Sequence, residues 1–159
     1  MSLDIFEYFT RLDQERYRAV IMHTAPEKGS AVTKFAQKVC AQAGGKYIDL
    51  LDLFIQNREL SEQIDIFSPE KLRALLIEHG RSTNLLFFDR ADFLLDTWGN
   101  KERRDFIQLI KDQWDSYKDG MKAKLIICLQ TSREIESLKI IDSQGKPRVL
   151  QLSDFNDIV

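Results

Sequence analysis

The segment from Tyr17 to Cys40 carries residue types that bind phosphate, placed where a strand passes into a helix. It reads YRAVIMHTAPEKGSAVTKFAQKVC: an apolar run, a loop with one glycine and an amphipathic stretch. A phosphate-binding loop presents backbone N–H groups at a helix N-terminus, with a lysine on the phosphates and a hydroxyl on Mg²⁺. The pattern G-x-x-x-x-G-K-[ST] aligns with residues 24–31, which predicts such a loop there.

The loop departs from this pattern at the positions that supply charge. Gly29 matches, but Ser30 stands at the lysine position and Ala31 at the hydroxyl position. Lys28 and Lys34 are the candidate replacement cations, with Lys34 a turn further into the helix, and Thr33 is a shifted hydroxyl in the wrong order. If ATP or ADP binds with Mg²⁺, we expect the contacts to come from Thr24, Lys28, Gly29, Ser30 and Ala31. The alternative is a strand-to-helix turn without a ligand.

Two more polar residues end predicted buried strands. Asp89 follows LLFF, and a carboxylate in that place holds Mg²⁺ through water. Arg90 follows Asp89, at the position where an ATPase with such a strand would carry a glutamate to polarise water. Arg90 therefore argues against efficient hydrolysis, or it is a structural residue that pairs with Asp89. Thr131 follows LIICLQ, where a polar side chain can sense the γ-phosphate or orient water, whereas Ser132 is predicted to be a helix N-cap.

The remaining charged residues allow two interpretations. Arg103, Arg104 and Arg133 are either ordinary surface cations or arginines that act on a neighbour's phosphate. His23 and His79 lack the Cys/His spacing of a metal site.

Composition restricts the class of protein. The 159 residues are 43% hydrophobic and 30% charged, which predicts one globular domain over residues 1–159. The net charge of −2 argues against direct nucleic-acid binding, although Lys118, Lys122 and Lys124 form a basic run. Cys40 and Cys128 are predicted to be buried, reduced thiols, which favours the cytoplasm. Apolar runs are shorter than the roughly 20 residues of a membrane span, so no membrane association is expected.

Apolar periodicity predicts alternating strands and helices, hence a parallel sheet with helices on both faces. A segment at 51–67 is predicted to be a loop with a short helix, and apolar residues 93–98 are either core or a partner surface. The predicted helices cover residues 3–15, 30–43, 69–80, 101–118 and 132–138, and the predicted strands cover 19–22, 46–50, 85–89, 125–129 and 147–152.

The degenerate loop at 24–31, LLFFD at 85–89 and LIICLQTS at 125–132 together resemble the core of P-loop ATPases of the AAA+/RecA-like kind. The resemblance covers about residues 17–152 and implies a three-layer α/β/α fold with five parallel strands in the order 5-1-4-3-2. Such proteins continue into a helical lid. Because the sequence ends at Val159, soon after the fifth strand, we expect no lid domain.

By size and layout the chain also resembles the BrxF family of small P-loop proteins in BREX-type bacterial phage defence. That resemblance implies a role beside a larger ATPase, a DNA methyltransferase and other defence components, with oligomers allowed. The preferred reading is a non-catalytic or weakly nucleotide-binding protein that acts as a protein-binding accessory subunit. The alternatives are an active ATPase with a deviant loop, in which Lys28 and Asp89 act, and a DNA-binding accessory factor.

Overall fold

Five parallel strands form one sheet. The computed structural model describes residues 2–118 and 120–158. Its helices and strands are, in chain order, α1 Ile5–Leu12, β1 Ala19–Thr24, α2 Gly29–Ala43, β2 Lys46–Asp49, α3 Leu50–Gln56, α4 Arg58–Glu62, α5 Pro69–Gly80, β3 Leu85–Asp89, α6 Asp92–Thr97, α7 Asn100–Gln108, β4 Lys124–Gln130, α8 Arg133–Ser137 and β5 Val149–Gln151.

The predicted fold class and strand order are confirmed, since 2-3-4-1-5 is the predicted order in reverse. The three central strands are apolar at successive positions because helices cover both faces of the sheet. In β1, Val20 and Met22 pack with α1 and α2, while Ala19 and Ile21 pack on the opposite face with α3, α5, α6 and α7.

Local signals set the two longest helices. The apolar stripe of α2 is buried, and the helix ends at Gly44, whose φ of 71° suits a residue without a Cβ. Ser68 caps α5 through its Oγ, which accepts a hydrogen bond from the Lys71 N–H at 3.2 Å, and Pro69 occupies the first helical position. The predicted bounds of both helices are therefore confirmed to within one residue.

Two regions differ from the sequence predictions, and in a third the structure decides between two predicted alternatives. Residues 50–66 form two short helices and a 3₁₀ turn at Ile64–Ile66 rather than mainly loop. The predicted helix over 101–118 is wrong in its second half: α7 passes into a π turn, Leu109–Gln113, which leaves Tyr117 72% exposed in the following turn. Leu94 and Trp98 are buried, so the apolar cluster at 93–98 belongs to the core rather than to a partner surface.

The predicted basic run is also corrected. Lys124 lies in β4, where it is buried and its Nζ is 2.7 Å from Asp13 Oδ1. Lys118 and Lys122 remain exposed. None of the helices within the described residues has the length and apolar composition that a membrane crossing requires.

The buried carboxylate of Asp115 fastens the turn after the π segment to the start of β1. Arg16 donates to both of its oxygens at 2.8–3.1 Å, and the backbone N–H groups of Tyr117 and Lys118 donate to Oδ1. Tyr17 and Asp115 also form an isolated antiparallel bridge. The hydrogen bonds from Arg16 hold the pKa of Asp115 well below its ordinary value of 3.8.

Replacing Asp115 by asparagine is expected to destabilise the protein in a pH-dependent way. A carboxyl group with a lowered folded-state pKa stabilises the fold above its unfolded-state pKa, and this stabilisation is lost as pH falls through the folded value. The melting temperature of Asp115→Asn should therefore lie below that of the wild type at neutral pH, and the gap should close in strong acid. Asp105→Asn, at the exposed Lys101–Asp105 pair, is the control. A gap that is the same at every pH would contradict this account.

Candidate functional site

The loop between β1 and α2 is a tight turn. Residues Pro26–Lys28 form a 3₁₀ turn, and Gly29 has ordinary right-handed helical angles, φ −57° and ψ −37°. Within the described residues, positive φ values occur at Gly44, Arg90, Gly120 and Gly145, all outside this loop. A backbone cradle for an anion alternates right- and left-handed residues so that successive N–H groups converge. The loop at 25–29 does not have that conformation.

The predicted nucleotide-binding residues divide between two cavities at the carboxyl edge of the sheet. Gly29 and Ser30 line a cavity of about 600 Å³ that also reaches Lys34 and Asp89. Lys28, Ala31 and Thr131 line a neighbouring cavity of about 710 Å³. Thr24 lines both cavities. Of the two candidate cations, the structure therefore places Lys34 rather than Lys28 in the cavity that contains Asp89.

Asp89 is 2% exposed, and its carboxylate accepts three hydrogen bonds. Thr33 Oγ1 and Tyr47 Oη donate to Oδ2 at 2.5 and 2.7 Å, and the Arg90 N–H donates to Oδ1 at 2.9 Å. Tyr47 lies beside Phe87 in the neighbouring parallel strand. Because alternate residues of a strand share a face, Asp89, two residues after Phe87, lies on the same face as Tyr47. Thr33 reaches the carboxylate from the second turn of α2.

The Tyr47 hydroxyl keeps its proton at neutral pH. Burial, followed by the hydrogen bond to Asp89, raises the pKa of Tyr47, so its hydroxyl remains a donor. Burial likewise raises the pKa of Asp92, whose Oδ1 accepts from the Gln130 N–H at 2.9 Å. Asp89 and Asp92 are thus both engaged with protein donors.

Arg90 pairs with Asp49, and the predicted pairing of its side chain with Asp89 is wrong. Its guanidinium donates through Nε at 2.8 Å and through Nη2 to Asp49 Oδ2. Its φ of 57° is left-handed, a conformation that costs a non-glycine residue roughly 1–2 kcal/mol. The bonds to Asp49 and to the Asp89 carboxylate offset that cost, so this turn is held by side chains on β2 and β3.

Thr131, in the lining of the cavity of about 710 Å³, is also in contact with a histidine. Its Oγ1 lies 2.8 Å from His23 Nδ1, and its N–H donates to the Thr24 carbonyl at 2.9 Å. Burial lowers the pKa of His23, which keeps the imidazole neutral at pH 7. Ser132 caps α8 through the Ile135 N–H at 3.1 Å, as predicted.

Arg103 is held within its own chain. Its guanidinium donates to the Trp98 and Leu95 carbonyls and to Glu134 at 2.7–3.1 Å. Arg104 and Arg133 are exposed. A separate cavity of about 490 Å³ between α5 and α7 is lined by other side chains and has no member of the Asp89 network.

Sequence reasoning missed Tyr47 and Asp49. The available signal was the parallel between KYID in β2 and LFFD in β3, since both strands end in aspartate at the same edge. Adjacent pairing of β2 and β3 places Tyr47 within reach of Asp89, and that pairing is a property of the sheet order.

The polar residues at the carboxyl edge of the sheet are hydrogen-bonded mainly to one another and to the backbone. A Mg²⁺-holding carboxylate needs lone pairs directed at solvent or at metal-bound water. At Asp89 three of the roughly four lone-pair directions are taken, two on Oδ2 by Thr33 and Tyr47 and one on Oδ1 by the Arg90 amide. Searches against protein families and against curated proteins found no match to this chain.

Proposed function

We propose that this chain is a non-catalytic, P-loop-like protein that works as a protein-binding accessory subunit. The observation that carries the proposal is the burial of Asp89 under three protein donors, Thr33, Tyr47 and the Arg90 amide. Phosphoryl transfer depends on electrostatic stabilisation by a metal ion and a phosphate-bound lysine. An aspartate buried under three donors serves the fold instead of a metal ion.

The loop supports the same proposal. Ser30 takes the lysine position and cannot supply a charge, and the 3₁₀ turn at Pro26–Lys28 does not form an anion cradle. The residue after Asp89 is Arg90, which is bound to Asp49 and is not a base that could activate water. The lysine, the anion cradle and the base of a hydrolytic site are therefore replaced at their expected positions by Ser30, a 3₁₀ turn and Arg90.

The resemblance to the AAA+/RecA-like core and to the BrxF family supports a role beside a larger protein. In the proposed setting, that partner is an ATPase or another subunit of a bacterial phage-defence complex. The cytoplasm is the proposed compartment because Cys40 and Cys128 are buried free thiols. Burial raises the pKa of Cys40 to about 12, so this thiol remains protonated.

Weak nucleotide binding without hydrolysis is the second candidate. The cavity of about 600 Å³ at the end of β1 favours it, because Lys34 and Arg90 lie in its lining together with the first turn of α2. In this version Lys34, rather than Lys28, would contact the phosphates.

Calorimetric titration with ATP and ADP, each with and without Mg²⁺, tests the proposal. We expect no heat of binding at millimolar nucleotide and no increase in melting temperature, since a ligand that binds only the folded state raises it. Micromolar, Mg²⁺-dependent binding would overturn the non-catalytic assignment. Lys34→Met and Lys28→Met, compared in the same titration, then identify the cation in contact with phosphate.

A further inference from the structure

An acidic and aliphatic surface follows the carboxyl end of β2. Ile55 and Ile66 are 66% and 67% exposed, far more than is usual for isoleucine. They adjoin Phe54 and Phe67, whose rings lie 5.0 Å apart, so the core contact brings their two backbone segments together. The residues 50–66 carry four carboxylates against the single cation Arg58. This acidic surface consists of Asp52, Ile55, Glu59, Glu62, Asp65 and Ile66.

A basic and aromatic surface lies at the opposite, amino-terminal edge of the sheet. The Arg16 guanidinium lies between the rings of Tyr17 and Tyr117, 5.1 and 5.3 Å from their centroids. Tyr117 is 72% exposed, and Lys118 is exposed beside it. Asp119, an acidic neighbour in the sequence, lies outside the described residues. This basic surface consists of Arg16, Tyr17, Tyr117, Lys118 and Lys122.

Hydrogen bonds hold the Arg16 side chain and the backbone of the basic surface in place before it meets a partner. Asp115 accepts from the Arg16 side chain and from the amides of Tyr117 and Lys118, which fixes both the cation and the turn. Arg18 Nη1 donates to the Lys122 carbonyl at 3.1 Å and holds the end of the same segment. Preorganised arginine and tyrosine side chains are the ones that contribute most at protein interfaces, because little side-chain freedom is lost on binding.

The two surfaces complement each other in charge and in apolar character, and one chain carries both at different edges of its sheet. We propose that the acidic surface of one copy docks on the basic surface of a second copy. Such a contact joins unlike surfaces, so the copies associate head to tail. This inference goes beyond the proposed function and does not depend on whether nucleotide binds.

Sedimentation of the full chain over a concentration series, at low and high salt, tests the inference. We expect the mass at low salt to rise above the 18.6 kDa of the monomer with increasing concentration. High salt should weaken the association because it screens the exposed charges. A wild type that remains monomeric at millimolar concentration and low salt would overturn the proposal.

Variants of each surface show whether the contact is head to tail. Ile55→Lys with Ile66→Lys changes the acidic surface, and Tyr117→Glu with Lys118→Glu changes the basic one. Each double variant should associate about 10- to 100-fold more weakly than the wild type, whereas an equimolar mixture should form a 1:1 dimer through the two intact surfaces. Ile141→Lys, at an isoleucine that is 57% exposed outside both surfaces, is the matched control and should associate like the wild type.

Other results would refute the assignment. If one double variant still associates fully, the interface joins like surfaces, and if the mixture stays monomeric, the two surfaces do not meet. Salt-sensitive binding of single-stranded DNA that Tyr117→Glu abolishes, in a chain that does not self-associate, would assign the basic surface to nucleic acid. Circular dichroism of each variant confirms that the exposed substitutions leave the fold intact.

Discussion

Replacing Asp89 by alanine is expected to lower the free energy of unfolding by about 3 kcal/mol. The buried carboxylate accepts hydrogen bonds from Thr33, Tyr47 and the Arg90 amide, and its removal leaves these donors without their acceptor. A buried polar group without a partner costs roughly 1–3 kcal/mol. Urea unfolding of the variant and the wild type measures the difference.

The result separates a structural carboxylate from a metal ligand. Asp96 is an exposed aspartate in α6, the helix that follows Asp89. Asp96→Ala is therefore the control and should change stability by less than about 0.5 kcal/mol. A double-mutant cycle of Asp89→Asn with Tyr47→Phe measures the energy of that single bond. If Asp89→Ala leaves stability unchanged and instead removes Mg²⁺-dependent nucleotide binding, Asp89 is a metal ligand and the proposed function is wrong.

Arg148→Met is expected to cost about 3–4 kcal/mol of unfolding free energy. The guanidinium of Arg148 is buried, and it donates to four backbone carbonyls at 2.7–3.1 Å. These carbonyls belong to Ala19, Ile110, Lys111 and Ile141. The arginine therefore joins the start of β1, the π turn and the segment before β5.

Methionine retains the apolar length of the arginine side chain but provides no donor. The four carbonyls would lose their shared donor, at two buried and two partly buried hydrogen bonds, and the midpoint of urea unfolding should fall accordingly. Lys146→Met removes an exposed cation from the same segment and should leave the midpoint nearly unchanged. A loss below about 1 kcal/mol for Arg148→Met would mean that water satisfies the carbonyls instead.

The fold was largely predictable because its signals are local. Continuous apolar runs at 85–88 and 125–129 indicate strands covered on both faces, and their alternation with amphipathic helices implies a parallel sheet. The Ser68–Pro69 start of α5 is a capping signal within a few residues. Less local features were missed. The π turn at Leu109–Gln113 and the helices at 50–66 depend on packing against α5 and the sheet.

The sequence by itself determined that a polar loop, Asp89 and Thr131 lie at one edge of the sheet, because the carboxyl ends of parallel strands share an edge. Only the tertiary structure decided what these residues contact. Pairing of β2 with β3 brings Tyr47 to Asp89. Packing of α2 against the same face of the sheet brings Thr33 to the same carboxylate oxygen, Oδ2. Partners separated by 42 and 56 positions leave no trace in local spacing, since the distance between them is set by how the strands and helices pack.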